Sequence, residues 1–182
     1  MRKIILAAGI TLDGYIARPD GSIDYLRMTK EGATVMAALF STVDTIVMGR
    51  KTFDASVAMQ GGTFRNPVDI PTYVFSRTLA PGERDGVTFT NQIPASWVRK
   101  IRARPGKHVF HMGGGELARS FLEADLIDEL SLGVVPILLG EGLPLFPARF
   151  PQRDFVLVEN KTYSKNDIAL TYARVRSRRR RK

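Results

Sequence analysis

Three apolar runs in this chain end in residues suited to holding phosphate. Val109-Phe110-His111-Met112 leads into Gly113-Gly114-Gly115, and then into a segment whose Leu117, Ala118, Phe121 and Leu122 recur at helical spacing. Glycines between a strand and a helix let the backbone approach a ligand closely, and the free N–H groups of a helix N-terminus favour an anion. Thr45-Ile46-Val47-Met48 ends in Gly49, with Arg50 and Thr52 just beyond, and Thr72-Tyr73-Val74-Phe75 ends in Ser76 and Arg77. Arginine grips phosphate bidentately, and hydroxyl groups add hydrogen bonds. In an open α/β sheet, ligands bind beyond the carboxyl ends of the strands. Parallel placement of these three strands would therefore gather the groups of a dinucleotide site, with a pyrophosphate and one further phosphate.

Gly113, Gly115 and Ala118 also satisfy the looser pattern G-x-G-x-x-G/A. The acid that should follow about 20 residues later is missing from Pro136-Ile137-Leu138-Leu139, and the chain has no Gly-Lys-Ser/Thr. Those absences point away from the Rossmann and P-loop arrangements and toward another α/β fold.

The elements that must position these groups follow from periodicity. Lys3 to Ala8 reads as a buried strand, and a turn-rich segment containing Pro19-Asp20-Gly21 follows it. Lys30 to Thr42 has helical spacing, and a short helix opens after Gly49. Gln60 to Pro71 reads as a loop, Gly86 to Thr90 as a short strand, and Pro94 to Arg104 as a helix stopped by Pro105-Gly106. Beyond Asp125 the pattern changes to strands. Leu130, Leu132 and Val134 alternate, Pro136 to Pro147 is a loop, and Phe155 to Thr162 pairs with Ile168 to Val175 as a hairpin. Strand–helix alternation followed by a run of strands predicts a mixed sheet with helices on both faces and an antiparallel edge.

Composition narrows the function classes. A chain of 182 residues fits one domain. It has no cysteine, which excludes disulfides and thiolate metal sites. Its two histidines, His108 and His111, lie in one strand at positions of opposite parity, so they do not readily share a metal. No apolar run reaches membrane-spanning length and no signal peptide is visible, so a cytoplasmic protein is expected. The net charge of +9 is concentrated at the end, where Arg174 to Lys182 carries seven basic residues and no acid. The remaining residues hold 20 basic and 18 acidic side chains, so the charge reads as a tail property and not as a face of the domain. Such a tail is expected to be disordered, with at most a fold-independent attraction for phosphate.

Met48-Gly49-Arg50-Lys51-Thr52-Phe53, Val74-Phe75-Ser76-Arg77 and Met112-Gly113-Gly114-Gly115 resemble, in order and spacing, the three cofactor motifs of dihydrofolate reductase, and Leu6-Ala7-Ala8 resembles that family's first strand. Thr11 to Ala17, Leu126 to Leu130 and Pro136 to Gly142 resemble the reductase domain of the riboflavin-biosynthesis deaminase-reductase and its stand-alone relatives. The likeness runs from about Lys3 to Val175, and no zinc-deaminase segment is present. It implies a dihydrofolate-reductase-like three-layer α/β/α fold, with a mixed, mostly parallel central sheet and an antiparallel C-terminal hairpin. The domain would be 1–175, with a basic tail over 176–182.

The implied activity is NADPH-dependent hydride transfer to a small polar carbonyl or imine, like 5-amino-6-(5-phosphoribosylamino)uracil. Dihydrofolate or another pteridine comes second. The rival from another class is a non-catalytic nucleotide- or nucleic-acid-binding protein that uses the tail. Carried over by motif, Arg50, Ser76 and Arg77 would meet the adenosine 2′-phosphate. Thr52, Gly113, Gly114 and Gly115 would meet the pyrophosphate, and the backbones of Ala8 and Ile16 the nicotinamide carboxamide. The position where folate reductases keep their helical carboxylate falls on Ala33, which leaves Glu31 and Asp13 as candidate catalytic acids. The resemblance also implies a cis Gly113–Gly114 peptide. A homodimer is expected because relatives pair and because Leu138 to Phe146 is rich in apolar side chains.

Overall fold

The computed structural model describes residues 1–26, 29–66, 68–162 and 168–176. Its elements are β1 (Ile4–Thr11), β2 (Tyr15–Ala17), α1 (Lys30–Thr42), β3 (Val43–Gly49), α2 (Arg50–Met59), β4 (Thr72–Phe75), β5 (Gly82–Arg84), β6 (Val87–Thr90), α3 (Pro94–Arg102), β7 (His108–Met112), α4 (Gly115–Glu123), β8 (Glu129–Val135), β9 (Leu143–Pro144), β10 (Phe155–Thr162) and β11 (Ile168–Arg174).

Nine strands form one sheet in the order β10-β11-β8-β1-β7-β3-β4-β6-β5. The six from β8 to β6 run parallel, while β11, β10 and β5 add antiparallel edges. The path explains the layers. From β1 through β3 and β4 to β6 the chain moves one way across the sheet, then returns through β7 to β8. Parallel crossovers are right-handed, so reversing direction puts the returning helices on the opposite face. Ile5, Ala7, Ile46, Met48 and Phe110 accordingly pack with Phe53 of α2 and Met36, Leu39 and Phe40 of α1. Ile4, Leu6, Val47 and Val109 pack with Trp97, Val98 and Ile101 of α3 and Leu117, Phe121 and Leu122 of α4. β1 is covered on both faces, which is why its first half is continuously apolar.

Several elements differ from the sequence expectation. β5 is a three-residue exposed strand hairpinned onto β6, with no apolar residue to signal it. β2 and β9 form a separate antiparallel pair, so part of the glycine- and proline-rich loop is structured. In that loop Leu138 is 72% exposed, but Leu145 is fully buried. α3 stops at Arg102, two residues before the expected end. The turn between β10 and β11 lies outside the described residues, as do 177–182, most of the expected tail.

Arg174, at the end of β11, and Arg176, the first residue of the expected tail, are fastened to the domain. Arg174 donates to Asp125 at 2.8 Å, and Arg176 donates to Asp128 at 2.7 Å. Two residues separated from the acids by about 50 positions found partners that charge counting could not assign. Among the described residues, no helix is long and apolar enough to cross a membrane.

Phe121 is the centre of the α4 contact. It is fully buried, with its ring 4.8 Å from His111 and 5.8 Å from Phe75, both edge-on. Phe121→Ala should lower unfolding free energy by about 3–5 kcal/mol, the usual loss for a buried phenylalanine. Urea unfolding followed by circular dichroism measures it. A loss under about 1 kcal/mol would show that α4 does not depend on this ring.

Candidate functional site

Register places the motif residues in one row. Ala7 pairs with Met112, Val47 with His111, and Gly49 with Phe75. One step further along these parallel strands, Ala8, Gly113, Gly49 and Phe75 lie side by side, with adjacent strands about 4.8 Å apart. β7 leads to α4 on one face, while its neighbours β1 and β3 lead to α1 and α2 on the other. Strands whose connections depart to opposite faces leave a crevice at their carboxyl ends, and here it flanks β7.

Two helices start at this crevice without a side-chain cap. The N-cap of α2 is Gly49 and that of α4 is Gly114, and neither makes a side-chain capping bond. Of the other two helices, α1 has a side-chain cap, while α3 also lacks one. Thr29 caps α1 by accepting from the Gly32 N–H, and α3 opens with Pro94, which has no N–H. The first N–H groups of α2 and α4 have no intrahelical partner. They present positive potential to the same space. The two helix starts touch: a Cβ on Gly114 would stand 2.5 Å from Thr52 Oγ1. A Cβ on Gly115 would overlap the carbonyl oxygen of Pro144.

The expected cis peptide is absent. Among the described residues all peptides are trans, and the chain instead turns through Gly113 and Gly114 at φ 41° and 76°. Two consecutive left-handed glycines make the reversal without isomerisation.

Beyond β3 and β4 lie the cationic groups. The Nε of Arg50 donates to Asp54 at 2.5 Å, within the first turn of α2. Ser76 is buried, and its hydroxyl accepts from the N–H groups of Thr78 and Leu79 at 3.3 and 3.0 Å. It thus shapes the turn that leaves Arg77 exposed. Ala8 and Ile16 are half-buried, with their side chains against one core cluster.

The two candidate acids have different surroundings. Glu31 is exposed in the first turn of α1. Asp13 accepts from the Thr11 hydroxyl at 2.5 Å and from the N–H groups of Leu139 and Gly140 at 3.0 and 2.8 Å. The Thr11 hydroxyl, with the Gly140 and Leu139 N–H groups, holds the Asp13 carboxyl below the usual carboxylate range. Asp13 is therefore an ionised acceptor at neutral pH, and it ties the segment after β1 to the segment after β8. The Leu12 N–H to Ile137 and the Leu145 N–H to Gly14 bonds, each 3.0 Å, complete the tie.

Sequence reasoning missed the floor of the crevice. Gly9 and Gly133 pair across β1 and β8, and Leu26 lies over Gly9, 2.6 Å from where its Cβ would be. Glycine inside an apolar strand is the available signal for such a close approach.

The match to known proteins agrees with this geometry. The family model of the RibD C-terminal domain matches residues 2–168. The chain belongs to the RibD C-terminal domain family. It is 34% identical over 150 residues to the uncharacterised protein YwjB of Bacillus subtilis (strain 168), covering 80% of this chain and 83% of that one. The crystal structure of a putative riboflavin biosynthesis protein from Shewanella sp. PV-4 superposes with a TM-score of 0.84 at 28% identity, covering 96% of this chain and 99% of that one. Dihydrofolate reductase from Enterococcus faecalis, solved with NADP(H), superposes with a TM-score of 0.65 at 15% identity, covering 94% and 96% of the two chains. The fold is that of dihydrofolate reductase.

In this RibD C-terminal domain one titratable group lies buried at the glycine turn. His111, two residues before Gly113, is fully buried, and neither ring nitrogen has a hydrogen-bond partner. Burial pushes its pKa down from 6.5 to about 4, so the folded protein holds it neutral. The unfolded chain takes up a proton near pH 6.5 that the folded chain refuses until about pH 4. Stability is therefore full above pH 6.5 and falls between those values, by about 3 kcal/mol if the whole shift is realised. His111→Phe should flatten that part of the profile, measured as urea midpoints from pH 7 to pH 4. An unchanged slope would assign the acid loss to other groups. The tie at Asp13 predicts a local effect: Asp13→Asn should speed hydrogen exchange at the Leu139 and Gly140 amides and leave β7 amides protected. Equal protection in both proteins would mean that the carboxylate does not hold the loop.

Proposed function

We propose that this RibD C-terminal domain is an NADPH-dependent reductase of a small polar carbonyl or imine substrate, like 5-amino-6-(5-phosphoribosylamino)uracil. The observation that carries the reading is the meeting of two uncapped helix N-termini at Thr52 and Gly114, with arginines beyond the two adjoining strands. The residues fit a pyrophosphate. The α2 and α4 N–H groups can accept its charge, the Thr52 hydroxyl lies between them, and a Cβ on Gly113 would meet nothing within 4 Å. Family membership and the shared fold with a reductase solved with NADP(H) support the same assignment.

When bound, the dinucleotide supplies a hydride to the polarised carbon, and a proton completes the reduction at its oxygen or nitrogen. The chain's own work is placement. Arg50, restrained by Asp54, and the exposed Arg77 leave adjacent strands and can reach one phosphate from two sides. Ser76 fixes the turn that presents Arg77. The backbones of Ala8 and Ile16 border the space for the nicotinamide carboxamide, and Leu26 packs onto the neighbouring Gly9. Asp13 holds the wall of the crevice and, being ionised, acts as an acceptor.

The 2′-phosphate is all that distinguishes NADPH from NADH. Hydrogen bonds to charged groups contribute roughly 1.5–3 kcal/mol. Arg50→Ala and Arg77→Ala should thus each weaken NADPH binding roughly ten- to a hundredfold, with NADH affinity unchanged. Titration calorimetry with both cofactors tests this. Parent-like NADPH binding by both variants, or a parallel loss for NADH, would refute the phosphate assignment.

A further inference from the structure

The edge of the sheet opposite the crevice is strongly basic. No acidic residue occurs from Gly86 to Gly115, whereas Arg99, Lys100, Arg102, Arg104 and Lys107 do. They cluster at the C-terminal end of α3 and the entry to β7, and all but half-buried Arg102 are exposed. The nearby carboxylates are already engaged. Asp44 bonds Arg2 and the Lys107 N–H. Asp128 accepts from the Ile4 N–H, Arg102 and Arg176. Asp125 takes Arg153, Arg174 and Arg176. Arg99 and Arg104 have no carboxylate partner among the described residues.

The chain's last described residue docks here. Arg176 donates to the backbone oxygens of Asp125 and Ile127, in the turn between α4 and β8, at 3.0 and 3.2 Å. Arg102 donates to Leu126 in the same turn at 3.3 Å. Arg178, Arg179, Arg180, Arg181 and Lys182 follow in sequence from that point. The near-balance of charge outside the tail concealed this surface, because the acids at this edge are paired with other arginines and leave Arg99 and Arg104 without a carboxylate among the described residues. The positive charge is a face of the domain as well as a property of the tail.

We propose that this edge is a second binding surface, for the sugar–phosphate backbone of a nucleic-acid duplex. A duplex presents one charge per about 1.7 Å, and arginine pairs with phosphate bidentately. Binding of a single strand by stacking needs exposed aromatic rings, and among the described residues no aromatic side chain is one of the exposed large apolar residues. The surface is independent of the crevice, so the dinucleotide reading can stand or fall without it.

The test uses the 182-residue chain and a fluorescent 20-base-pair duplex of arbitrary sequence, with anisotropy read between 50 and 300 mM NaCl. Arg99→Ala with Arg104→Ala removes two phosphate contacts. The slope of log affinity against log salt should fall by about 2, and binding at 0.1 M salt should weaken roughly 50-fold. In a chain ending at Arg176, the same two substitutions should lower the slope by the same amount, while calorimetry shows the variants binding NADPH like the parent. Three results overturn the proposal: no parental binding tighter than about 0.1 mM at 0.1 M salt; parent-like binding by the double variant, which leaves only the tail; or stronger binding to phosphatidylserine vesicles than to the duplex, which makes the partner a lipid surface.

Discussion

The crevice depends on a steric constraint: where β7 turns into α4 there is no room for a side chain. Gly114 approaches Thr52 of α2, and Gly115 approaches the Pro144 carbonyl of β9. A side chain at either position would push α4 away from α2 and from the β2–β9 pair. The two helices sit on opposite faces of the sheet, so only their N-termini can meet, and they can do so only across the end of β7. That meeting brings together N–H groups with no partner among the described residues, and an anion is a natural partner for them. The apolar bed of α4 holds the turn from below. His111 belongs to this bed and is kept neutral by Phe121 and its neighbours.

The two edges of the sheet differ chemically for the same geometric reason. Helices that run back along parallel strands start at the carboxyl edge and end at the amino edge. Free N–H groups therefore collect at the crevice, and free carbonyls collect opposite. Arginines answer those carbonyls: Arg153 donates to Leu122 and Glu123 at the end of α4. α3 carries Arg99, Lys100 and Arg102 in its last turn, where cations interact favourably with the helix dipole. The basic edge begins as ordinary helix termination. It becomes a distinct surface because the carboxylates there are already spent on Arg2, Arg102, Arg153, Arg174 and Arg176.

What was legible in the sequence was local and periodic. α1 and β4 have the expected boundaries, and the three motif-bearing strand ends do lie in one row. Buried parallel strands are continuous apolar runs, and the glycines and arginines sit immediately after them, so both signals are short-range. The misses involve partners far away in sequence. Asp13 reads as a candidate catalytic acid, yet the N–H groups that donate to it lie 126 and 127 positions away and make it a tie between two segments. β5 and β9 carry no apolar alternation. Arg174 and Arg176 look like the start of a solvated tail until Asp125 and Asp128 are placed beneath them. A charge sum over the chain cannot show which bases the acids pair with and which they leave free.

The two sides of the crevice are built differently. The groups of the motif row stand on strand ends and helix starts, fixed by the sheet register and by a buried core. The opposite wall consists of the segments after β1 and after β8, which are fastened to each other through Thr11, Asp13, Leu139, Gly140 and the β2–β9 pair. Only a few of their side chains, such as Leu145, enter the core. A wall tied chiefly to itself can change length and composition without disturbing the sheet, provided that its internal hydrogen bonds are kept. The row of strand ends can thus stay fixed while the opposite wall varies. In this chain Leu26 packs directly onto Gly9. On the proposed reading, the space left for a substrate is set by the segment that carries Leu26, more than by any residue of the strand-end row.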